Sequence, residues 1–251
     1  TVAAILVLAL GIGATSAMFG VVDGVLLRPL PFNAPEQLVI VTAASERDGP
    51  GFPPSVADFA DWRAGTRGRG VADMALARGE ALLKRGSEGA ATVTTAHVSD
   101  GWFRVLGARP LLGRMFGADE EGPAARRSLV LSHRAWMQRF GGDRGVVGQT
   151  VDMAEGPYTV IGVLPPEVSF PAWAEAYAPL ATLPGRREAL TNRTARVDNV
   201  VVARLAPGEH ESHIVAFRLS NVGPREEQLV PLLAHIKPAD VKHVAVGQVV
   251  F

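Results

Sequence analysis

Histidine, serine and acidic residues are the side chains of this sequence that could take part in chemistry. His210 and His213, in the sequence EHESH, are three residues apart, so on one helix face they could bind a metal ion together with Glu209 or Glu211. No third fixed ligand lies nearby in the sequence, and a proline–glycine turn at 207–208 precedes the segment. We therefore interpret EHESH as a solvated charged segment, and we predict no metal site and no cofactor.

Two serine–histidine pairs are candidates for nucleophilic catalysis. Ser132 is followed by His133 and Ser212 by His213, but neighbours in sequence do not adopt the hydrogen-bond geometry that activates a serine. The G-x-S-x-G motif of serine hydrolases is absent, as is the G-x-x-x-x-G-K-[ST] loop that binds nucleotide phosphates. The sequence thus predicts that the chain is neither an ATPase nor, by its own residues, an enzyme.

Acidic residues form two short groups. Asp58 and Asp61, three residues apart in ADFADW, could act as an acid–base pair. The spacing of the apolar residues in this segment places both aspartates on the solvent-exposed face of a helix, so we predict that both are solvated. Residues 119–121 are likewise predicted to lie in a solvated loop, with Arg126 and Arg127 balancing their charge.

One catalytic alternative stays open, in which His97 or His133 acts with a carboxylate such as that of Asp100. A histidine oriented by a carboxylate is a common general base, and the apolar N-terminus would then anchor a hydrolase in the cell envelope. Turnover of ester or peptide substrates that is abolished by His133→Ala would identify this activity.

Composition narrows the class of protein. The 251 residues include 25 basic and 25 acidic side chains, so the formal net charge is zero and no global field attracts nucleic acid. The absence of cysteine excludes disulfides, thiolate metal sites and cysteine nucleophiles. The length fits one large domain or two small ones.

An uncharged apolar run opens the sequence and continues to Val22. At ~1.5 Å per helical residue, such a run is long enough to cross the ~30 Å hydrocarbon core of a bilayer. Small residues recur four apart, Gly13 with Ala17 and Gly20 with Gly24, which is the spacing that lets a second membrane helix approach closely. We predict a transmembrane helix within residues 1–27 that packs against other helices through these four residues.

Three other interpretations of the apolar run compete with a membrane helix. A cleaved signal peptide would need a basic N-terminal region and a shorter apolar core. A dinucleotide-binding turn would need a third glycine or alanine where Ser16 stands and an acidic residue about 20 positions later. A buried helix of a soluble protein is the third interpretation. We favour the membrane helix because the hydroxyls of Thr15 and Ser16 can bond back to helix carbonyls, and because prolines at 29 and 31 then end the helix.

Short strands and short helices alternate after the apolar run, which predicts an α+β fold. Helices are predicted after Ser55, Asp100 and Ser132, each of which can cap a first turn. Residues 71–98 are predicted to form a hairpin or meander, and 48–54 a loop. Strands are predicted at 37–42, 91–98, 128–131, 145–151, 158–164 and 200–205, with weaker strand or helix candidates at 228–233 and 241–250.

Several long sequence segments occur in the order typical of one family. They are LALGIGATSAMFGVVDGVLLRPLPF at 8–32, APEQLV at 34–39, DFADWRA at 58–64, VSDGWFRVLGARPLLGRMF at 98–116, VLSHRAWMQRFGGDRGVVGQTV at 130–151, YTVIGVLPPEVSFP at 158–171 and RLAPG at 204–208. In these segments the sequence resembles the MacB-like periplasmic core domain of ABC transporter permeases, especially long permeases with FtsX-like membrane segments.

The resemblance implies an arrangement and a function. It implies one membrane helix at 1–27, and a periplasmic core domain at 28–208 with two lobes of porter-like βαβ units and mixed sheets. The chain would cross the inner membrane once, with its main domain periplasmic. Its partners would be a cytoplasmic ABC ATPase, the permease membrane helices and an envelope partner, in a homo-oligomer. The domain would serve efflux by transmitting conformational change, without catalytic residues.

Residues 209–251 match the family weakly. Charged residues at 237, 240 and 242 interrupt any apolar run there, so the expected C-terminal membrane helices are missing. We therefore expect a shortened C-terminal segment and a chain that is a fragment. A structural envelope adaptor without transport is a further alternative.

Overall fold

The fold is described from a computed structural model of the chain. It describes residues 10–13, 15, 16, 18, 19, 32–45, 49–66, 70–84, 91–117, 120, 122, 124–196 and 198–208. The chain divides into two units, 1–31 with 250–251 and 32–249. The predicted elements at 228–233 and 241–250, and the motif EHESH, lie outside the described residues.

In the first unit, the described residues between 10 and 19 are helical. The Thr15 hydroxyl donates a hydrogen bond of 2.8 Å to the carbonyl of Gly11, as predicted for a polar side chain of an apolar helix. Among the described residues, no helix combines the length and the apolar character needed to span a bilayer. Gly13 is described, and a Cβ built on it would meet no atom within 4 Å. Ala17, Gly20 and Gly24 lie outside the described residues, so helix packing through these four positions stays a prediction.

The second unit is built mainly of strands. The strands are β1 Leu38–Val41, β2 Ala43–Ser45, β3 Gly49–Phe52, β4 Val71–Lys84, β5 Ala91–Val98, β6 Leu112–Gly113, β7 Ser128–Leu131, β8 Thr150–Met153, β9 Gly156–Val163, β10 Ala176–Pro179 and β11 Asn199–Leu205. The helices are α1 Val56–Gly65, α2 Trp102–Leu106, α3 His133–Phe140 and α4 Arg186–Thr191, with short 3-10 turns at Pro35–Gln37, Arg144–Val146 and Leu180–Thr182.

One mixed sheet of nine strands organises this unit. Its strand order is β1-β11-β4-β5-β10-β7-β9-β6, with β8 beside β9, and β2 and β3 form a separate hairpin. Strand β5 is parallel to β10, β7 is parallel to β9, and the other pairs are antiparallel. Strand β7, helix α3 and strand β9 thus form a βαβ unit, and the predicted α+β class with a mixed sheet is confirmed.

Local sequence signals explain where the helices begin and end. The Ser55 hydroxyl accepts from the Asp58 amide, and the Asp58 carboxylate accepts from the Ser55 amide, which is a reciprocal cap at the start of α1. Ser132 caps α3 in the predicted way, and Gly141 ends that helix with φ 61°, a left-handed conformation that glycine adopts at low cost. Both helices predicted from these caps are confirmed.

Two apolar clusters lie on one face of the sheet. Leu76 of β4 belongs to the first, together with Phe59 and Trp62 of α1. Leu82, six residues further along β4, belongs to the second, together with Trp136 of α3. Because side chains alternate along a strand, these two leucines point to the same face. Both clusters therefore pack against one continuous sheet, and the two lobes implied by the resemblance stay a prediction.

Helix α2 packs on the opposite face of the sheet. Phe103 meets the ring of Tyr177 edge to face, with 5.5 Å between ring centroids, and Trp102 stacks on Phe170 at 5.9 Å. Tyr177 alternates along β10 with Ala176 and Ala178, which belong to the second cluster, so it points away from that cluster.

Three expectations differ from the structure. Residues 49–52, predicted as loop, form strand β3, and the predicted strand at 145–151 is a 3-10 turn followed by β8. Asp100 does not cap α2, whose N-cap is Gly101 with φ 81° and no side-chain hydrogen bond. Strand β10 and helix α4 were not predicted. The sequence of β10, AYAP, is short and lacks β-branched residues, and a parallel neighbour supplies the pairing that local propensity does not.

Candidate functional site

A cleft lies where the parallel strands β5 and β10 end. Val98 and Pro179 are partners at the carboxyl ends of these strands, and the segments that follow them, 99–101 and 180–181, line the cleft. Loops at the carboxyl ends of parallel strands are a frequent place for binding sites. The cleft has a volume of about 690 Å³, and its apolar lining includes Phe59, Phe103, Met115, Phe116, Leu180 and Leu190.

A network of four charged residues joins the elements around the cleft. Arg63 of α1 forms a two-pronged contact with Asp100, one prong of which is 2.9 Å, and its Nη2 lies 3.8 Å from Asp73 of β4. Arg104 of α2 also bonds to Asp73, with 2.9 Å from Nε to Oδ2 and 2.8 Å from Nη2 to the same oxygen. The network therefore ties α1, α2 and β4 together at one edge of the cleft.

The pKa of Asp100 reflects this network. The hydrogen bond from Arg63 lowers the pKa of its carboxyl below the ordinary value, and this outweighs the opposing effect of partial burial. A carboxyl that acts as a general acid near neutral pH needs a raised pKa. Asp100 instead stays ionised and serves as an anchor for Arg63.

Glu120 fixes the other side of the cleft, and its burial contradicts the prediction of a solvated acidic loop. The side chain is 1% exposed. It accepts from Arg114 at 2.7 and 3.1 Å, from the Gly117 amide at 2.8 Å and from the Ser128 hydroxyl at 3.1 Å. Burial alone would raise the pKa of Glu120, but these hydrogen bonds lower it overall. The carboxylate thus holds the chain before β7 against that strand.

The structure also corrects the prediction for Asp58. Asp58 is 0% exposed, caps α1, and contacts Arg193 at 3.0 Å and Arg196 at 3.3 Å. Asp61 is exposed as predicted, with 2.6 Å between its Oδ2 and Nη2 of Arg193. The exposed-face pattern failed for Asp58 because residues 193–196, distant in sequence, cover the start of the helix. The two carboxylates serve as arginine anchors.

The histidines and serines of the catalytic alternative are not brought together. His97, on β5, is 0% exposed, and burial, with a smaller effect of the Arg78 charge, lowers its pKa to about 4. His133 lies at the start of α3 with its ring edge to face on Trp136, and Ser132 is engaged as the helix cap. Within the described residues, neither histidine has a hydrogen bond to Asp100, and no group of three potential metal ligands occurs. His210, His213 and Ser212 lie outside those residues.

Sequence reasoning missed the residues that shape the cleft. Arg63, Asp73 and Arg104 meet although they come from three elements, and no spacing in the sequence signals their contact. Three buried aromatic residues of α1 and α2, Phe59, Trp102 and Phe103, also line the cleft. A polar residue directly after a strand, such as Asp100, was the one available signal.

Comparison with known proteins matches residues 1–216 to the family model of the MacB-like periplasmic core domain. No curated protein matches the chain. Three solved structures resemble it in fold. The periplasmic region of MacB from Actinobacillus actinomycetemcomitans is 15% identical, with a TM-score of 0.49 over 70% of this chain and 77% of that one.

The second is the extracellular domain of the noncanonic ABC-type transporter YknZ from Gram-positive bacteria, which is 18% identical with a TM-score of 0.47 over 68% of this chain and 84% of that one. The third is a permease-protein domain from Porphyromonas gingivalis, which is 18% identical with a TM-score of 0.50 over 71% of this chain and 79% of that one. Because the family model covers most of the sequence, this chain belongs to the MacB-like periplasmic core domain family, the extracytoplasmic part of ABC transporter permeases.

Proposed function

We propose that this domain transmits conformational change between the membrane helices of an export permease and a substrate or envelope partner, without catalysing a reaction itself. In this proposal residues 1–27 form a membrane helix, and a cytoplasmic ABC ATPase drives the motion. One observation carries the proposal most directly: the first and the last described strands of the sheet unit are neighbours.

Strands β1 and β11 are antiparallel partners. Leu38, the first residue of β1, pairs with Arg204, and Val41 pairs with Val201 near the other end. The chain therefore enters the sheet and leaves it at the same end of one strand pair. A domain inserted between two membrane segments needs this geometry, because both connections must reach the same membrane surface.

Arg204 clamps the two connections together. Its Nε donates to the Val105 carbonyl at 2.8 Å, and its Nη1 donates to the Ala34 carbonyl at 3.2 Å. Burial lowers the pKa of the Arg204 guanidinium, and the charge of Glu36 partly offsets this. One side chain thus links β11, the segment before β1 and helix α2, which lines the cleft.

Strand β4 extends this connection across the sheet. Its first half pairs with β11 over residues 71–78, and its second half pairs with β5 over residues 77–84. Asp73, in the first half, bonds to Arg104 and lies beside Arg63 at the cleft. A displacement of the β1–β11 pair would therefore reach the cleft through packed strands and an ionic network, which is the kind of rigid path that coupling requires.

A labelling experiment tests the topology. The chain has no native cysteine, so single cysteines at Ser45, Ser87 and Ser220 report unambiguously. In intact cells a membrane-impermeant thiol reagent should label all three, and the protein should stay with the membrane fraction. Labelling only after lysis, or release into the soluble fraction with the N-terminal run intact, would overturn the proposed arrangement.

A second experiment tests the coupling itself. The permease containing this chain is reconstituted with its ATPase, and a single cysteine at Leu190, an exposed cleft residue, reports accessibility with and without ATP. Arg204→Gln should reduce the ATP-dependent change in labelling rate by more than half while basal ATP hydrolysis is kept. Arg144→Gln, at an exposed arginine distant in sequence from Arg204, is the control. It should change neither the ATP-dependent labelling response nor basal ATP hydrolysis. An unchanged response in Arg204→Gln would contradict the proposed path.

A further inference from the structure

A row of three polar residues crosses the sheet on the face that carries the two apolar clusters. In the strand register Arg78 of β4 pairs with Asn199 of β11 on one side and with His97 of β5 on the other. Partners directly opposite each other point to the same face, with Cβ atoms about 4.5–5.5 Å apart. Arg78 lies between Leu76 of the first cluster and Leu82 of the second, so the row separates the two clusters.

Several polar atoms of this row are buried without a partner among the described residues. They are Nε and Nη1 of Arg78, both ring nitrogens of His97 and Oδ1 of Asn199. His97 is 0% and Asn199 is 3% exposed. The orientation of the Asn199 amide is fixed, because its Nδ2 donates to the carbonyls of Pro54 at 2.8 Å and Ala195 at 3.2 Å. Its oxygen therefore stays on the side away from those carbonyls.

Leaving these atoms unpaired would destabilise the fold, since buried N–H donors need acceptors. Glu80 is the acidic residue that follows Arg78 on the same face of β4, but Nε and Nη1 of Arg78 have no hydrogen-bond partner among the described residues. Nε and Nη1 of an arginine form a fork that matches two oxygens of a carboxylate or phosphate. A neutral His97 offers one further donor beside that fork.

We propose that the row formed by Arg78, His97 and Asn199 binds a small oxyanion, either a carboxylate or a phosphate group. Two of its oxygens accept from Nε and Nη1 of Arg78, and His97 donates to it from one ring nitrogen. A protonated oxygen, as in a phosphate monoanion, donates to Oδ1 of Asn199. Arg78 is half-buried, so its outer edge gives the ligand access from the surface. Bound there, the oxyanion stabilises the junction between the two apolar clusters.

The test is a ligand-dependent thermal shift of the full chain purified in detergent. Phosphate, sulfate and acetate are titrated at constant ionic strength, with chloride as the reference ion. At a tenfold excess over the dissociation constant, the wild-type melting temperature should rise by about 3 to 6 °C and then saturate. A response to phosphate and sulfate alone identifies a tetrahedral oxyanion, and a response to acetate identifies a carboxylate.

Two variants keep the result interpretable. Arg78→Gln should abolish the saturable shift, and Glu80→Gln should retain or increase it, because it removes a negative charge from the same face. If Arg78→Gln fails to fold, ³¹P line broadening of inorganic phosphate by wild type and by Arg78→Lys replaces it, and binding should weaken at least tenfold. No saturable shift beyond that of chloride, or a shift that persists in Arg78→Gln, would overturn the proposal. The labelling and coupling experiments on the proposed function do not depend on this outcome.

Discussion

Two regions of the sheet unit differ in whether their buried polar and charged atoms have partners among the described residues. Asp58 and Glu120 are fully buried, and each has several hydrogen-bond or ionic partners. Arg78 is half-buried beside the buried His97, and Nε and Nη1 of Arg78 and both ring nitrogens of His97 lack hydrogen-bond partners within the described part of the chain. Asp58 attaches helix α1 to residues 193–196, and Glu120 attaches a loop to strand β7, which are structural roles. The unpaired row has no such partners among the described residues, and this difference is the basis of the proposed oxyanion site.

The largest expected effect comes from removing a paired carboxylate. Asp58→Ala removes one half of the reciprocal cap of α1, so that the Ser55 amide loses its acceptor, and it removes the buried partner of Arg193 and Arg196. We expect a loss of about 3–5 kcal/mol in the free energy of unfolding, because the removal of one member of a buried ion pair leaves the rest uncompensated. Asp61→Ala, which removes an exposed partner of the same Arg193, should cost at most about 1 kcal/mol. Urea denaturation of both variants measures the difference, and equal losses would refute the assigned roles.

The second largest effect on the free energy of unfolding is expected from acid, which acts through His97 of the unpaired row. The pKa of His97 is lowered to about 4 in the folded state, against 6.5 in the unfolded chain. The unfolded chain therefore binds a proton between these values that the folded chain does not, so stability is fully present above pH 6.5 and falls as the pH drops towards 4. The linked loss is about 3 kcal/mol.

His97→Leu should flatten this slope between pH 6.5 and 4, whereas His133→Gln should keep it. Denaturation curves in chloride buffers free of phosphate and carboxylate measure the effect without a bound oxyanion. A slope that survives in His97→Leu would assign the acid sensitivity to other groups. The carboxylate network adds its own loss at lower pH, because the pKa of Asp100 is lowered below 3.8.

Glu120 provides the third test. Glu120→Gln keeps the shape of the side chain but removes its charge and one acceptor oxygen for Arg114, Gly117 and Ser128. We expect a loss of about 2–3 kcal/mol, smaller than for Asp58→Ala because glutamine keeps the size of the side chain and one of its two acceptor oxygens. Glu167→Gln, at an exposed position, should leave stability unchanged. A loss in Glu120→Gln no larger than this control would mean that the buried carboxylate does not hold the loop.

The sequence predicted the elements whose signals are local. The caps at Ser55 and Ser132, the glycine stop at Gly141 and the β-branched run of β11 each depend on neighbours within a few residues, and each element was found. The alternation of short strands and short helices predicted the α+β class, and the family resemblance added the expectation of mixed sheets.

The sequence did not predict features that depend on distant contacts. Asp58 was expected in solvent, but Arg193 and Arg196, more than 130 residues away, bury it. The pairing of Arg78 with His97 and Asn199 follows from strand register, which a single sequence does not specify. The candidate cleft is built in the same way, from loops that meet because β5 and β10 are parallel.

The smallest effect on the free energy of unfolding is expected at the cleft, where the charged side chains are paired but partly exposed to solvent. The side chains of Arg63, Asp73 and Asp100 are 21%, 22% and 38% exposed. Arg63→Gln should therefore cost only about 0.5–1 kcal/mol, since water re-solvates both aspartates. The loss should shrink further in about 1 M salt, where charges more than ~3 Å apart are screened.

Asp58→Ala should show no such salt dependence, because its partners surround a fully buried carboxylate. Unfolding free energies of the two variants at low and high salt measure this contrast. A salt-independent loss above about 2 kcal/mol in Arg63→Gln would place the cleft network with the buried carboxylates and give the cleft a structural role.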